Sequence, residues 1–444
     1  MRSDEGRPRK RRSDWVYCVL PAAVASGPIG TLVQLYIMTT NGPGLGTIYA
    51  GVAVAAFNFI SIPAAMFWGF ATDRLHKRKW LIVVGYTVTA VVLFSFYFEQ
   101  STPGAIATYS LFSFVSSASA TPLNLLIMET EEKGRWAGTF ARLSMMSSIG
   151  NTAGLVLSTV WSSTFRLILL TIPLGVFSLI SAGLALTMIS EPKITLEREA
   201  MILRKPSFFS RLLALPLIFL TVPSAEDFRR IFRGLRYSVT SQIPLLYISI
   251  VLFYLSSGVF NTSLVPALYS YSLSHSEVFA VILAGMFVQT FSFQYAGRYV
   301  SGRSLAATSL QGLVLRGACY VMLGVFALVA AGPLFVVPTL ILYPLAAGVA
   351  FAVYYTASNT MIFNTVQHRN AGSTLGVYSA VVGVANTVGS FISGFTSVYL
   401  GFYATFMLGG ALLGAAALVM VRLRGMEIPS ERETKISGQD GPHS

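Results

Sequence analysis

The chain has 444 residues, of which 54% are hydrophobic and only 11% charged, and it carries a formal net charge of +13. Soluble domains hold about 25% charged residues, so this composition excludes an ordinary soluble protein and indicates a chain that crosses a membrane many times. The positive excess does not point to nucleic acid, because the basic residues gather in short segments between apolar runs.

The first 14 residues are basic and polar, and the apolar run that begins at Trp15 is longer than the core of a signal peptide, so it reads as a retained first helix. Apolar runs follow at 15–39, 47–71, 80–98, 104–128, 137–160 and 167–189. After a polar interval, six more cover 245–269, 278–296, 305–329, 334–361, 372–398 and 402–422. Most are long enough to span a hydrocarbon core of about 30 Å. The expectation is an all-α polytopic membrane protein with twelve transmembrane helices. It divides into an N-tail (1–14), a first bundle (15–189), a linker (190–244), a second bundle (245–422) and a C-tail (423–444).

Of the 31 Lys and Arg residues, 28 fall in one alternate set of inter-helix segments and tails, counting Arg422 at the edge of the last run with the C-tail, whereas the opposite set holds only Arg166. By the positive-inside rule that set is cytoplasmic, which puts both termini of this plasma-membrane protein in the cytoplasm. The linker contains Ser224-Ala-Glu-Asp227, a helix start with an acidic first turn. Phe228, Ile231, Phe232 and Leu235 then alternate with Arg229, Arg230, Arg233 and Arg236, the pattern of a basic amphipathic helix lying on a membrane face.

Two short stretches recur. Asn151-Thr-Ala-Gly154 in the fifth run matches Asn386-Thr-Val-Gly389 in the eleventh. The basic segment after the second run is echoed after the eighth by Gly297-Arg298-Tyr-Val-Ser-Gly302-Arg303, without the acid. Two such matches at corresponding positions indicate two related halves.

The segment between the second and third runs reads Gly69-Phe-Ala-Thr-Asp73-Arg74-Leu-His-Lys77-Arg78-Lys79. Its pattern resembles the helix 2–3 signature of the major facilitator superfamily of secondary transporters, Gly-x-Leu-x-Asp-Arg-x-Gly followed by two basic residues. It departs from that signature at Ala71 and His76. The segment Glu131-Glu-Lys-Gly134-Arg135-Trp-Ala-Gly138 also looks like this superfamily. The resemblance implies two pseudo-symmetric six-helix bundles with substrate bound between them. It also implies a conformational switch built from Gly69, Asp73, Arg74, Lys77 and Arg78. In that switch Asp73 tethers the first half to the backbone around Gly372–Thr374, and Arg74 pairs with Glu129.

Nothing in the sequence suggests covalent catalysis, a metal site or a cofactor. The four His lie in loops or the tail, no acid sits deep in an apolar run, and there is no phosphate-binding Gly-x-x-x-x-Gly-Lys-Ser/Thr stretch. Cys18 and Cys319, both within apolar runs, form no disulfide framework. Two intramembrane charges remain, Arg142 and Arg316, and such charges face a cavity or a partner because an isolated one in hydrocarbon is costly. The amides Asn58, Asn151, Asn261, Gln289, Gln294, Asn359 and Asn386, with Tyr254 and Tyr354, complete the candidate cavity, since a polar group in hydrocarbon must find a partner. Helices 4, 5 and 11, rich in Ser, Gly and Ala, read as closely packed interfaces.

The function expected is secondary active transport of a small organic solute by a monomer in the plasma membrane. An ion-coupled drug or metabolite exporter, with a proton as one coupling ion, heads the readings. An organic-anion or sugar symporter or uniporter, and a transporter-like receptor or assembly factor, stand beside it.

Overall fold

The structure is a computed structural model that describes residues 14–75, 77–130, 136–190, 242–301, 303–329, 332–365 and 371–426. The side chains of Asp73, 128–130, 136–137, 242–243, 363–365, 371–377 and Met426 also fall outside the description. The expected amphipathic helix at 224–236, the Asp73 tether to 372–374 and the Arg74–Glu129 pair therefore lie outside the described residues.

Twelve helical segments follow the twelve apolar runs. They are α1 (Asp14–Asn41), α2 (Pro43–Leu75), α3 (Arg78–Phe98), α4 (Thr102–Thr130), α5 (Trp136–Thr164), α6 (Leu167–Met188), α7 (Gln242–Ser270), α8 (His275–Val300), α9 (Leu305–Val329), α10 (332–365), α11 (Ala371–Tyr399) and α12 (Gly401–Met426). Among the described residues, eleven are long and apolar enough to cross a bilayer. The exception is α5, whose 29 residues give ample length but include Arg142, Asn151 and many hydroxyls. Apart from α6 and α7, consecutive helices are joined by short connections, and Gly42 (φ 76°) and Gly401 (φ 85°) take the left-handed backbone at the α1–α2 and α11–α12 turns, where a Cβ would be strained.

In α10 the backbone shifts into a π-helical turn over Leu345–Ala350, directly after Pro344. Proline offers no N–H and crowds the carbonyl four residues back, so the hydrogen-bond ladder must re-register there. Pro63, Pro122 and Pro266 sit inside α2, α4 and α7, as membrane helices tolerate when neighbours re-satisfy the freed groups.

Two compact units emerge, one of residues 1–222 with 265–286, the other of 223–264 with 287–444. In the first, hydroxyls and an indole reach across to backbone carbonyls of neighbouring helices. Ser181 donates to the Cys18 carbonyl (2.7 Å), Ser178 to Tyr86 (2.8 Å), Ser113 to Phe57 (2.8 Å) and Trp68 Nε1 to Phe114 (2.7 Å). In the second, Ser256 donates to Gly409 (2.7 Å), Ser393 to Val259 (2.7 Å) and Thr262 to the Ser390 hydroxyl (3.0 Å). With lipid outside, packing and such bonds hold membrane helices together.

The repeated Asn-Thr-x-Gly stretches occupy equivalent crossings. In the first unit α5 passes α1 with Gly27 against the Asn151 backbone and Gly154 against the Val24 carbonyl. In the second, α11 passes α7 with Gly258 against the Asn386 carbonyl and Gly389 against the Leu255 carbonyl. A Cβ on Gly27 would stand 2.8 Å from the Asn151 Cα, and one on Gly258 would stand 2.6 Å from the Asn386 oxygen. Only glycine permits this approach.

Candidate functional site

The first unit has a half-open cavity of about 360 Å³ between α1, α3, α4, α5 and α6. Its polar lining is hydroxyl and amide only: Ser26, Thr89, Ser116, Ser119, Ser147 and Ser178 with Tyr86, Asn124 and Asn151. Several of these hydroxyls are already committed to local carbonyls, as Thr89 is to Gly85 (2.7 Å) and Ser116 to Ser113 (3.2 Å). The side chains of Asn124, Ser147 and Asn151 make no such bond among the described residues, although each has open donors and acceptors. A hydrogen-bonding solute of matching shape would satisfy them. Of this lining the sequence had singled out only Asn151. The Ser-rich faces of α4 and α5 read from the sequence as packing surfaces, which holds for Gly150 and Gly154 of α5 and Ser113 of α4, whereas Ser116 and Ser119 of α4 line the cavity.

The second unit offers aromatic chemistry. Tyr254 on α7 and Tyr378 on α11 bring their hydroxyls within 3.4 Å. Phe253 stacks on Tyr354 (ring centres 4.0 Å apart), while Phe351 stacks on Tyr355 (5.5 Å) and Phe293 of α8 meets Tyr355 edge-on (5.8 Å). Behind this wall lies Arg316, 2% exposed. Its Nε donates to the Tyr320 hydroxyl one turn along α9 (2.8 Å). Its guanidinium carbon lies 4.7 Å from the centre of the Phe253 ring, 5.2 Å from Phe351 and 5.3 Å from Tyr320. Residues 278–426 contain no Asp or Glu, so among the described residues of that stretch the charge is held by ring faces rather than by a carboxylate. A desolvated cation over an aromatic face gains about 2 kcal/mol, and three such faces offset part of a burial cost of several kcal/mol. Its Nη1 has no hydrogen-bond partner among the described residues.

The other residues singled out in the sequence are dispersed. Arg142 is exposed in the second turn of α5, Asn261 and Gln294 are exposed, and Asn58, Gln289 and Asn386 are half-buried. Asn359 turns its amide onto the Tyr355 carbonyl (2.9 Å). In the basic segment, Arg74 ends α2 with its guanidinium 5.7 Å from the Phe70 ring, while Lys77 precedes α3. Arg78, 6% exposed, turns back so that its Nη1 donates to the Thr72 carbonyl. A cation thus caps the C-terminal end of α2, where the helix dipole favours it. The turn itself is shorter than the charged stretch, because α2 runs to Leu75 and α3 starts at Arg78.

The family profile described as Major Facilitator Superfamily matches residues 16–303 and 246–443, which together cover nearly the whole chain. The chain belongs to the Major Facilitator Superfamily. It is a multi-pass membrane protein and a secondary transporter of a small-molecule substrate, not an enzyme. Solved structures of this superfamily member's fold include the nucleoside transporter NupG, at 13% identity and a TM-score of 0.68 over 92% of this chain and 98% of that one. The peptide transporter POT matches at 11% identity and a TM-score of 0.66 over 96% and 95% of the two chains. The xylose transporter XylE from E. coli, in an inward-open conformation, matches at 14% identity and a TM-score of 0.60 over 92% and 93%. At these identities the likeness is one of fold. No curated protein sequence matches this superfamily member.

Proposed function

We propose that this superfamily member carries a small, uncharged, hydrogen-bonding organic solute across the plasma membrane by alternating access, with both termini in the cytoplasm. The observation that carries this reading is the cavity of about 360 Å³ whose polar lining is hydroxyl and amide without a charged group. Such a lining pairs with hydroxyls, amides and ring nitrogens and leaves an ion unpaired, which in a desolvated site is costly. Nucleosides and xylose, the solutes named for two structural neighbours, have this chemistry. The absence of any Asp or Glu from 15–72, 74–98, 100–128, 133–190 and 278–426 removes the usual intramembrane proton carrier. It favours movement down the solute's own gradient over proton coupling. The test is uptake of labelled nucleosides, pentoses, dipeptides and organic anions into proteoliposomes, with and without an imposed pH gradient. Saturable uptake of a neutral solute, unchanged by the gradient, is the expected result. Gradient-driven uptake of an anion alone would overturn it.

One observation favours a second reading, an organic-anion transporter: the buried Nη1 of Arg316 has no partner among the described residues. The same uptake panel separates the two.

A further inference from the structure

The second unit holds a cleft of about 510 Å³ between α8, α9 and the π-helical turn of α10, apart from the tyrosine wall. Its side is a ladder on α8, Phe287, Phe291, Tyr295 and Tyr299, each 39–66% exposed and each one turn beyond the last. Phe293, two residues from both Phe291 and Tyr295, instead packs into the tyrosine wall. The ladder therefore lies on the opposite face of α8, turned outward. Leu315 and Val353 close the trough, and Gly312 lies in its floor, pressed against the Ala350 carbonyl and the backbone of Tyr354. A lipid-facing helix surface is normally convex and apolar along its whole length. This one is concave and ends in a polar lip. There the Tyr299 hydroxyl donates to Gln311 Oε1 (2.9 Å), and the Arg303 guanidinium carbon sits 4.0 Å from the centre of the Tyr299 ring. Arg303 has no ion pair among the described residues, and its nearest basic neighbour in sequence, Arg298, is likewise exposed. Residues 278–426 contain no acid, so neither arginine has an anion to pair with among the described residues of that stretch. Both belong to the set of segments that holds 28 of the 31 basic residues.

We propose that this cleft is a binding site for one anionic phospholipid, with an acyl chain along the Phe287–Tyr295 ladder and the phosphate on Arg303. The volume suits it, since sites for apolar ligands run to about 300–1,000 Å³. Charge complementarity selects the head group, because a basic residue at a membrane surface attracts anionic lipid by a factor of about five. Aromatic stacking holds Arg303 at the lip, so little side-chain freedom is lost when the phosphate arrives.

The test is native mass spectrometry of the full chain in detergent micelles, titrated with phosphatidylglycerol or with phosphatidylcholine of the same acyl chains. One phosphatidylglycerol should be retained about fivefold more strongly than phosphatidylcholine. Arg303→Gln should erase that preference while leaving residual adducts of both lipids. Leu315→Trp, which fills the trough from an exposed position, should remove the adducts altogether. Equal retention of the two lipids, or phosphatidylglycerol adducts unchanged in both variants, overturns the proposal. A dimer that Leu315→Trp dissociates, without any lipid adduct, would instead assign the cleft to a second copy of the chain. Both substitutions lie at exposed positions, and a single monodisperse peak in size-exclusion chromatography establishes that each variant is folded.

Discussion

Gly154 lies against the carbonyl of Val24 so closely that no side chain fits between them, and Gly389 meets the Leu255 carbonyl in the same way. The partner glycines, Gly27 and Gly258, follow those carbonyls by three residues in each case. The two crossings are one device used twice. Overpacking a tight interface costs about 1–3 kcal/mol, so Gly154→Leu and Gly389→Leu should each lower the detergent melting temperature by a similar amount. Gly183→Ala, where a Cβ meets nothing within 4 Å, should hold or slightly raise it. A tolerated Gly389→Leu would show that α7 and α11 do not rely on this approach.

The repeat that marks these crossings is visible in the sequence as Asn-Thr-x-Gly, and the helix ends follow the apolar runs to within a few residues. Lipid explains that legibility, because every spanning segment must satisfy its backbone internally and so announces itself by length and hydropathy. The candidate site was less legible. Asn124 and Ser147 sit among helices whose small residues serve packing at one turn and a cavity at the next. The composition of a single helix does not say which, because the answer depends on what stands opposite. Arg316 was visible as a charge in α9, but its partners Phe253 and Phe351 come from α7 and α10. No spacing within one helix could have named them.

The cavity amides that have no side-chain hydrogen bond among the described residues should carry recognition. Asn124→Leu and Asn151→Ala remove groups that a solute would pair with, and a lost hydrogen bond in a dry site is worth about 1–3 kcal/mol. Uptake efficiency should fall roughly 5- to 100-fold on that scale, with surface expression unchanged. Ser116→Ala, whose hydroxyl is already committed to the Ser113 carbonyl (3.2 Å), should cost much less. Equal losses for all three would indicate a packing effect instead of recognition.

Arg316→Met replaces a buried cation by an apolar side chain that fits between rings. Such replacements are often neutral or stabilising by about 1–4 kcal/mol, so the variant should fold and melt no lower than the parent. Under the neutral-solute reading its uptake stays within about threefold of the parent, a change of less than 1 kcal/mol. Abolished uptake in a stable protein would transfer Arg316 to the binding site and support the anion reading.

Arg78 ties the end of α2 to the start of α3 through the Thr72 carbonyl. Hydrogen bonds from charged groups contribute about 1.5–3 kcal/mol, so Arg78→Gln should destabilise the first unit measurably in a thermal melt. Arg74 is exposed, where a charged contact is worth about 0–1 kcal/mol, so Arg74→Gln should cost less than Arg78→Gln. The reverse ranking would mean that the short turn is held by Arg74 rather than by Arg78.

Ser276, in the first turn of α8, donates to the Thr159 carbonyl near the end of α5 (2.7 Å). Thr159 and Ser276 both belong to the first compact unit, so the bond pins the start of α8 to the end of α5 within it. A neutral hydrogen bond has a net worth of about 0.5–1.5 kcal/mol. Ser276→Ala should therefore lower the detergent melting temperature slightly, and Ser276→Thr, which keeps the hydroxyl, should cost less. A melting temperature unchanged by Ser276→Ala would show that the first unit does not rely on this bond.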